Sequence, residues 1–120
     1  MISAILLLFA ALPVPPMMEL ILEGDVKEEQ SHTQGNYTLA EGLVNGFPYW
    51  NQQDGIHAIW SVWSSYWMVG DIAFLGNPTG SIYNFDIKVW PTQILDGFIY
   101  YSSGWQSASL NEVIFKDCKF

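Results

Sequence analysis

Apolar and polar residues alternate with a period of two along much of this chain, in short runs broken by turn residues. Met18, Leu20 and Leu22 fall on one side of residues 18–23, and Glu19, Ile21 and Glu23 on the other, which predicts a first strand. Residues 24–35 then become polar and charged, with Lys27-Glu28-Glu29-Gln30, and read as an exposed loop in which His32 is solvated. Tyr37-Thr38-Leu39 predicts a second strand and Leu43-Val44 a third. Asn45-Gly46 follows as the strongest short hairpin signal available. Residues 47–50 return from it, and Pro48, lacking a ladder donor, places this strand at an edge or gives it an irregular start.

Asp54-Gly55 marks the next turn. Residues 56–63 alternate again, with Ala58, Trp60 and Val62 on one face and His57, Ile59, Ser61 and Trp63 on the other. Aromatics on both faces predict a central strand, or one lying under a loop. Ser64-Ser65 turns the chain into a strand over residues 66–69, which continues as another over 71–75. Residues 76–80, Gly-Asn-Pro-Thr-Gly, are a loop. Short strands are expected over residues 81–85 and 87–90, a break over 91–96, and a hairpin-like pair, 97–101 and 104–106, across Ser102-Ser103. Residues 112–115 are the last strand. No helical period of ten or more residues interrupts this order. The fold expected is all-β: a compact antiparallel sandwich or flattened barrel of about eight to ten short strands.

Composition narrows the partners. Four of the six tryptophans, Trp50, Trp60, Trp63 and Trp67, fall between residues 37 and 76, the aromatic centre of this pattern. Half of the residues are hydrophobic and only 13% are charged, against about 25% in an average soluble domain. Apolar burial can therefore offset chain entropy, and a length of 120 residues allows one domain. Twelve acids face four lysines and no arginine, for a net charge of −8. Nucleic acid and anionic membranes are excluded as partners, because both need cations to displace or neutralise phosphate counterions. The acidity reads as a solubility device for an aromatic-rich surface.

Residues 1–16 carry no charged side chain, and residues 5–12 form an apolar run. That run is shorter than the roughly 20 residues needed to cross a bilayer, and its length and position match a secretory signal peptide. The reading adopted is a signal peptide over 1–16, with cleavage near Ala10-Ala11, followed by a single β module over 17–120. Against it, no Lys or Arg precedes the run, and Pro13, Pro15 and Pro16 follow it. An apolar N-terminal segment, or initiation at Met17 or Met18, stays open. Cys118 is the only cysteine, so no internal disulfide and no structural zinc site can form from it. In a secreted protein it is either buried or a candidate for an intermolecular disulfide.

The order of these elements resembles a poorly characterised family of small β modules found in secreted and multidomain extracellular proteins. The pattern runs Gly35-Asn36-Tyr37-Thr38, Val44-Asn45-Gly46-Phe47-Pro48-Tyr49-Trp50, Ala58-Ile59-Trp60, Trp67-Met68-Val69-Gly70 and Leu75-Gly76. Gly80-Ser81-Ile82, Pro91, Tyr100, Trp105 and a final Val113-Ile114 strand ending at Cys118 complete it. It covers about residues 18–120, and only the ordered combination of its short motifs is specific. The resemblance implies an extracellular β module without an established activity. Members often carry a cysteine before the proline matching Pro91, as a partner for the C-terminal cysteine; here Trp90 stands there.

Candidate chemistry is sparse. Nucleophilic catalysis would need a base, and His32 and His57 are the only imidazoles; His57 reads better as a hydrogen-bonded strand residue. Two separated histidines and one cysteine show no zinc spacing. Asp25, Glu28 and Glu29, or Asp71 and Asp86, read as solvated acids rather than a calcium site. A carboxylate pair for glycoside hydrolysis needs only suitable spacing, which twelve acids make unspecific. No catalytic residue, metal or cofactor is expected. Asn36-Tyr37-Thr38 is a glycosylation sequon, whereas Asn77-Pro78-Thr79 is blocked by Pro78.

The aromatics remain. Six Trp, six Tyr and seven Phe exceed what so small a core hides, so some of Tyr49, Trp50, Trp63, Tyr66, Trp67, Tyr100, Tyr101 and Trp105 must reach the surface. Tyr49, Trp63, Tyr66 and Trp105 are the candidate ligand contacts. The function expected is a secreted, non-catalytic recognition module for neutral carbohydrate or protein. The alternative is a subunit that self-associates into an extracellular coat, matrix or filament.

Overall fold

The computed structural model describes residues 13–118. The whole apolar run, residues 5–12 of the signal peptide expected over 1–16, lies outside the described residues. Nine antiparallel strands form one sheet: β1 (Met17–Leu22), β2 (Gly35–Leu39), β3 (Trp50–Gln52), β4 (His57–Val62), β5 (Tyr66–Asp71), β6 (Ile82–Asn84), β7 (Ile99–Tyr101), β8 (Trp105–Ser107) and β9 (Val113–Asp117). The spatial order is β8-β7-β6-β5-β4-β3-β2-β1-β9, a meander whose last strand returns to the first. The sheet curls until Phe98, before β7, meets Phe115 of β9 with ring centroids 5.6 Å apart. The all-β expectation holds, in its curled form: a half-barrel rather than two facing sheets.

The alternation in β1 works as its sequence predicts, with Met18, Leu20 and Leu22 buried in the concave face. Joining them are Tyr37, Trp50, Ile59, Trp67, Val69, Ile82, Tyr100, Val113 and Phe115, one face of every strand but β8. At the centre Trp50, Trp67 and Trp90 meet edge to face or tilted, at 5.7 to 6.2 Å between centroids. Such ring pairs contribute about 0.5–1.5 kcal/mol each beyond their buried area. A buried indole N–H also needs an acceptor, and each of three tryptophans finds one in a strandless segment. Trp50 Nε1 donates to Pro15 O at 2.7 Å, Trp67 Nε1 to Val89 O at 2.9 Å, and Trp60 Nε1 to Asn77 O at 3.1 Å. The indoles thus tie three loops to the sheet.

β4 is the middle strand, and all six of its residues are buried. Its convex face carries Ala58, Trp60 and Val62, which with Met68 form a second small core under Val44, Tyr49 and Leu75. The strand is both central and under loops. The loop over residues 76–80 lies flush on β5 because Gly70 and Gly80 face each other; a Cβ on Gly70 would stand 2.8 Å from Gly80 Cα and 2.8 Å from Trp60 Cη2.

Four expected elements differ. Residues 24–35 are not a loop but helix α1 (Gly24–Gln30) and a 3-10 turn (Ser31–Thr33), burying Val26, Gln30 and Thr33. Glu112 Oε2 accepts from Asp25 N at 3.1 Å, and Gln30 Nε2 donates to Tyr101 O at 2.8 Å, so the helix is held by remote partners. Residues 72–74 form a 3-10 turn rather than a strand, because Asp71 Oδ1 accepts from Ala73 N at 2.8 Å. Residues 87–90 are not a strand either: Asn84 Oδ1 and Asp86 Oδ1 bond Asp86 N and Lys88 N in successive side-chain turns. Leu43-Val44 shrinks to one bridge, Val44 to Phe47, across Asn45 (φ 53°) and Gly46 (φ 83°), the turn type that Asn-Gly favours.

Candidate binding surface

Strand register brings rings together on the convex face of β5 to β8. Tyr66 precedes Trp67, which pairs with Asn84, so Tyr66 lies opposite Phe85. Tyr83 sits two residues before Phe85 and therefore on the same face. Tyr101 pairs with Trp105 across the β7–β8 hairpin. The result is a continuous row of five rings. Tyr66 contacts Tyr83 (5.5 Å between centroids) and Phe85 (5.3 Å), and Tyr83 contacts Phe85 (5.2 Å). Tyr83 also contacts Trp105 (4.9 Å), and Trp105 contacts Tyr101 (5.4 Å). Most meet edge to face, so each ring fixes the tilt of the next. The row crosses three inter-strand gaps, about 14 Å of sheet.

This ladder is half open to solvent: Phe85, Tyr101 and Trp105 are 62%, 48% and 45% exposed, and Tyr66 and Tyr83 are half-buried. The convex positions of β5 to β8 are Tyr66, Met68, Gly70, Tyr83, Ile99, Tyr101, Trp105 and Ser107, and none carries a charge. Burial, and then the neighbouring Tyr83 phenol, push the Tyr66 hydroxyl above the usual tyrosine range. The surface is therefore neutral, flat-ringed and furnished with hydroxyl groups from Tyr66, Tyr83, Tyr101 and Ser107.

Of the four contacts expected from sequence, Tyr66 and Trp105 belong to this row. Tyr49 instead covers the small convex core. Trp63 is not on a strand face: it sits in the β4–β5 turn with φ +51°, followed by Ser64 at +57°, and is 65% exposed. Left-handed backbone is uncommon for so bulky a residue. Ser64 Oγ donates to Asn45 O at 2.6 Å, docking this turn on the Asn45-Gly46 turn. Trp50, Trp67 and Tyr100 are buried. Tyr83 and Phe85 were not anticipated; their spacing of two beside Tyr66 was the available signal.

Asn36 lies in β2 with its side chain exposed. Cys118 is half-buried and lines a cavity of about 550 Å³ with Pro13, Pro16, Trp90, Thr92, Gln93 and Asp117. Trp90, which stands where the resemblance places a second cysteine, thus borders the same space as Cys118.

A second cleft, about 360 Å³, opens at one end of the half-barrel between His32, His57, Asp71, Phe74 and Ser81. His32 is exposed, as expected, and its ring lies tilted at 54° beside His57, 5.0 Å away. Gln52 Nε2 donates to His32 O and Gln34 O, which turns Oε1 towards His57 N (3.1 Å) and Nδ1 (3.0 Å). An acceptor at Nδ1 requires that nitrogen to carry the proton when the imidazole is neutral. Burial, then the His32 ring, lower the His57 pKa, and Asp71 opposes them. Among the described residues no hydroxyl or thiol hydrogen-bonds to either imidazole, and no cluster of three His, Cys, Asp or Glu is placed to hold a metal ion.

Comparison with protein-family models, with curated proteins and with solved structures finds no match to this chain.

Proposed function

We propose that this chain is an extracellular, non-catalytic recognition module that lays neutral carbohydrate along its aromatic ladder. The observation that supports it is the continuity of Tyr66, Phe85, Tyr83, Trp105 and Tyr101 on an uncharged sheet face. Sugar rings present apolar C–H faces that lie on aromatic planes, while their hydroxyls seek neighbouring donors and acceptors. Rings held by one another lose little freedom on binding, which favours affinity from few contacts. Nineteen aromatics in a chain without arginine suit a ligand with no charge to neutralise. The apolar N-terminal run and the resemblance to secreted modules support the compartment.

Isothermal titration of a neutral oligosaccharide panel tests the reading. Trp105→Ala and Tyr83→Ala should each weaken binding about tenfold or more, a loss of about 1.4 kcal/mol, within the range of an interface hot spot. Trp63→Ala, outside the ladder, should leave affinity unchanged. If no panel member binds, or both ladder variants bind like the parent chain, the ladder is not a glycan site.

A further inference from the structure

An open sheet has two edges, and here they differ. The β9 edge packs against the Pro91–Gln93 turn and carries Lys116 and Asp117, devices that discourage further pairing. Among the described residues the β8 edge has none. Its three residues are exposed, and residues 104–110 contain no charge and no proline.

The direction of its free backbone groups follows from the β7 ladder. Ser102 N donates to Gly104 O, Ala108 N donates to Phe98 O, and Gln106 pairs with Tyr100. Residues 104, 106 and 108 therefore bond inward, and by alternation the N–H and C=O of Trp105 and Ser107 face away from the sheet. Just beyond, Ser109 N is already capped by Glu112 Oε1 at 2.7 Å. Two residues with one between them form a self-complementary pattern. A second copy turned by a twofold axis through Gln106 sets Trp105 opposite its Ser107, and Ser107 opposite its Trp105. Each pair exchanges two N–H···O bonds, four in all. On the convex face the Trp105 indole then lies over a small serine, and the ladder of one copy runs towards that of the other.

We propose that two copies of this chain join through β8, antiparallel and centred on Gln106, so that their aromatic ladders form one surface. The contact uses up the bare edge of both copies, so assembly stops at the dimer. It is short, which places it among weak, reversible interfaces. Each copy carries a net charge of −8, so added salt should tighten the dimer by screening. Dimerisation requires no glycan and stands apart from the carbohydrate reading.

Sedimentation equilibrium of the full chain, at rising concentration and at about 0.15 and 1 M salt, should show reversible monomer–dimer exchange that tightens with salt. Ser107→Pro removes an outward N–H without touching the β7 ladder, an edge position of the kind where proline is tolerated. It should weaken dimerisation at least about tenfold, through the two bonds lost per dimer, while far-UV circular dichroism stays that of the parent. Ser107→Glu, which adds like charge to each side of a seam between two acidic copies, should do the same if proline perturbs folding. Hydrogen exchange at Trp105 and Ser107 amides should slow as concentration rises. A chain that stays monomeric to its solubility limit overturns the proposal. So does growth beyond two copies, a dimer untouched by both variants, or protection of those amides only by an added strand-forming peptide. A monomeric Ser107→Pro that still binds oligosaccharide separates this outcome from failure of the glycan site.

Discussion

The tie between Trp50 and the segment before β1 gives the sharpest test of how this core is held. Trp50 is fully buried, and its Nε1 donates to Pro15 O at 2.7 Å. Beside it Leu39 N donates to Pro16 O at 2.9 Å, and Val14 packs on the main core. A chain begun at Met17 loses all three, whereas one begun at Pro13 keeps them. An indole N–H left unsatisfied in the interior costs about 1–3 kcal/mol, and the exchange of the Leu39 bond for water about 0.5–1.5 kcal/mol. Partial burial of Val14 adds about 1 kcal/mol. The shorter chain should therefore be less stable by roughly 3–5 kcal/mol, a large share of the 5–15 kcal/mol typical of a domain. Urea unfolding followed by far-UV circular dichroism measures the difference. Trp50→Phe, made in both chains, completes the cycle: it should cost about 1–2 kcal/mol more in the longer chain, where the indole still has its acceptor. Equal midpoints for the two lengths, or an equal cost of Trp50→Phe in both, would refute the role given to this hydrogen bond.

Other perturbations have equally definite outcomes. Gly70→Ala should lower stability by about 1–3 kcal/mol, because its Cβ would meet Gly80 Cα and the Trp60 ring at 2.8 Å; an unchanged thermal midpoint would contradict that packing. Asn45 bonds Ser61 O at 2.7 Å and Gly76 O at 3.0 Å through Nδ2 while holding φ at 53°. Asn45→Ala should thus cost about 2–4 kcal/mol, and Asn45→Gly about 1 kcal/mol less since it accepts the left-handed backbone; equal losses on thermal unfolding would leave the backbone no part. His57 should make the fold sensitive to acid. Its folded pKa is depressed, so on acidification the unfolded chain takes up the proton first. Its stabilising contribution is complete above the unfolded value of about 6.5 and is lost as pH falls from there through the folded value. His57→Gln should flatten that part of a stability–pH curve, and a curve unchanged by the substitution would exclude His57 as its source.

Local signals were readable in this sequence, and remote ones were not. β1 is legible because Met18, Leu20 and Leu22 alternate, and the hairpins because Asn45-Gly46, Asp54-Gly55 and Ser102-Ser103 shape turns by themselves. Helix α1 escapes because only Val26 and Gln30 are buried on it, and its partners Glu112 and Tyr101 are contributed from far along the chain. Residues 87–90 have strand-forming side chains, yet Asn84 and Asp86 bend the backbone first, and Trp90 is drawn into the ring cluster. The ladder was half legible. Tyr66 and Trp105 stood out as rings that could not all be hidden, but their union through Tyr83 depends on the register of β5 with β6 and of β7 with β8. Trp63 was misplaced by carrying the alternation of β4 one residue into the turn.

Among the described strands one pairing is long-range, and it must wait until β9 has been made. Seven of the eight neighbouring strand pairs join segments adjacent in the chain, whereas β1 meets β9 with Met18 against Asp117 and Leu22 against Val113. Hairpins from β2 to β8 can settle while the chain leaves the ribosome, since domains begin to fold from the N-terminal side as they emerge. β1 waits. Until the ninth strand arrives, Leu20 and Leu22 lack the cover of Phe115 and Val113, and β1 is without its β9 partner on one flank. Closing so long a loop is also the slow kind of step in folding. Substitutions in β9 should thus act on how long newly made protein stays vulnerable, and on its dependence on chaperones, more than on the hairpins already formed.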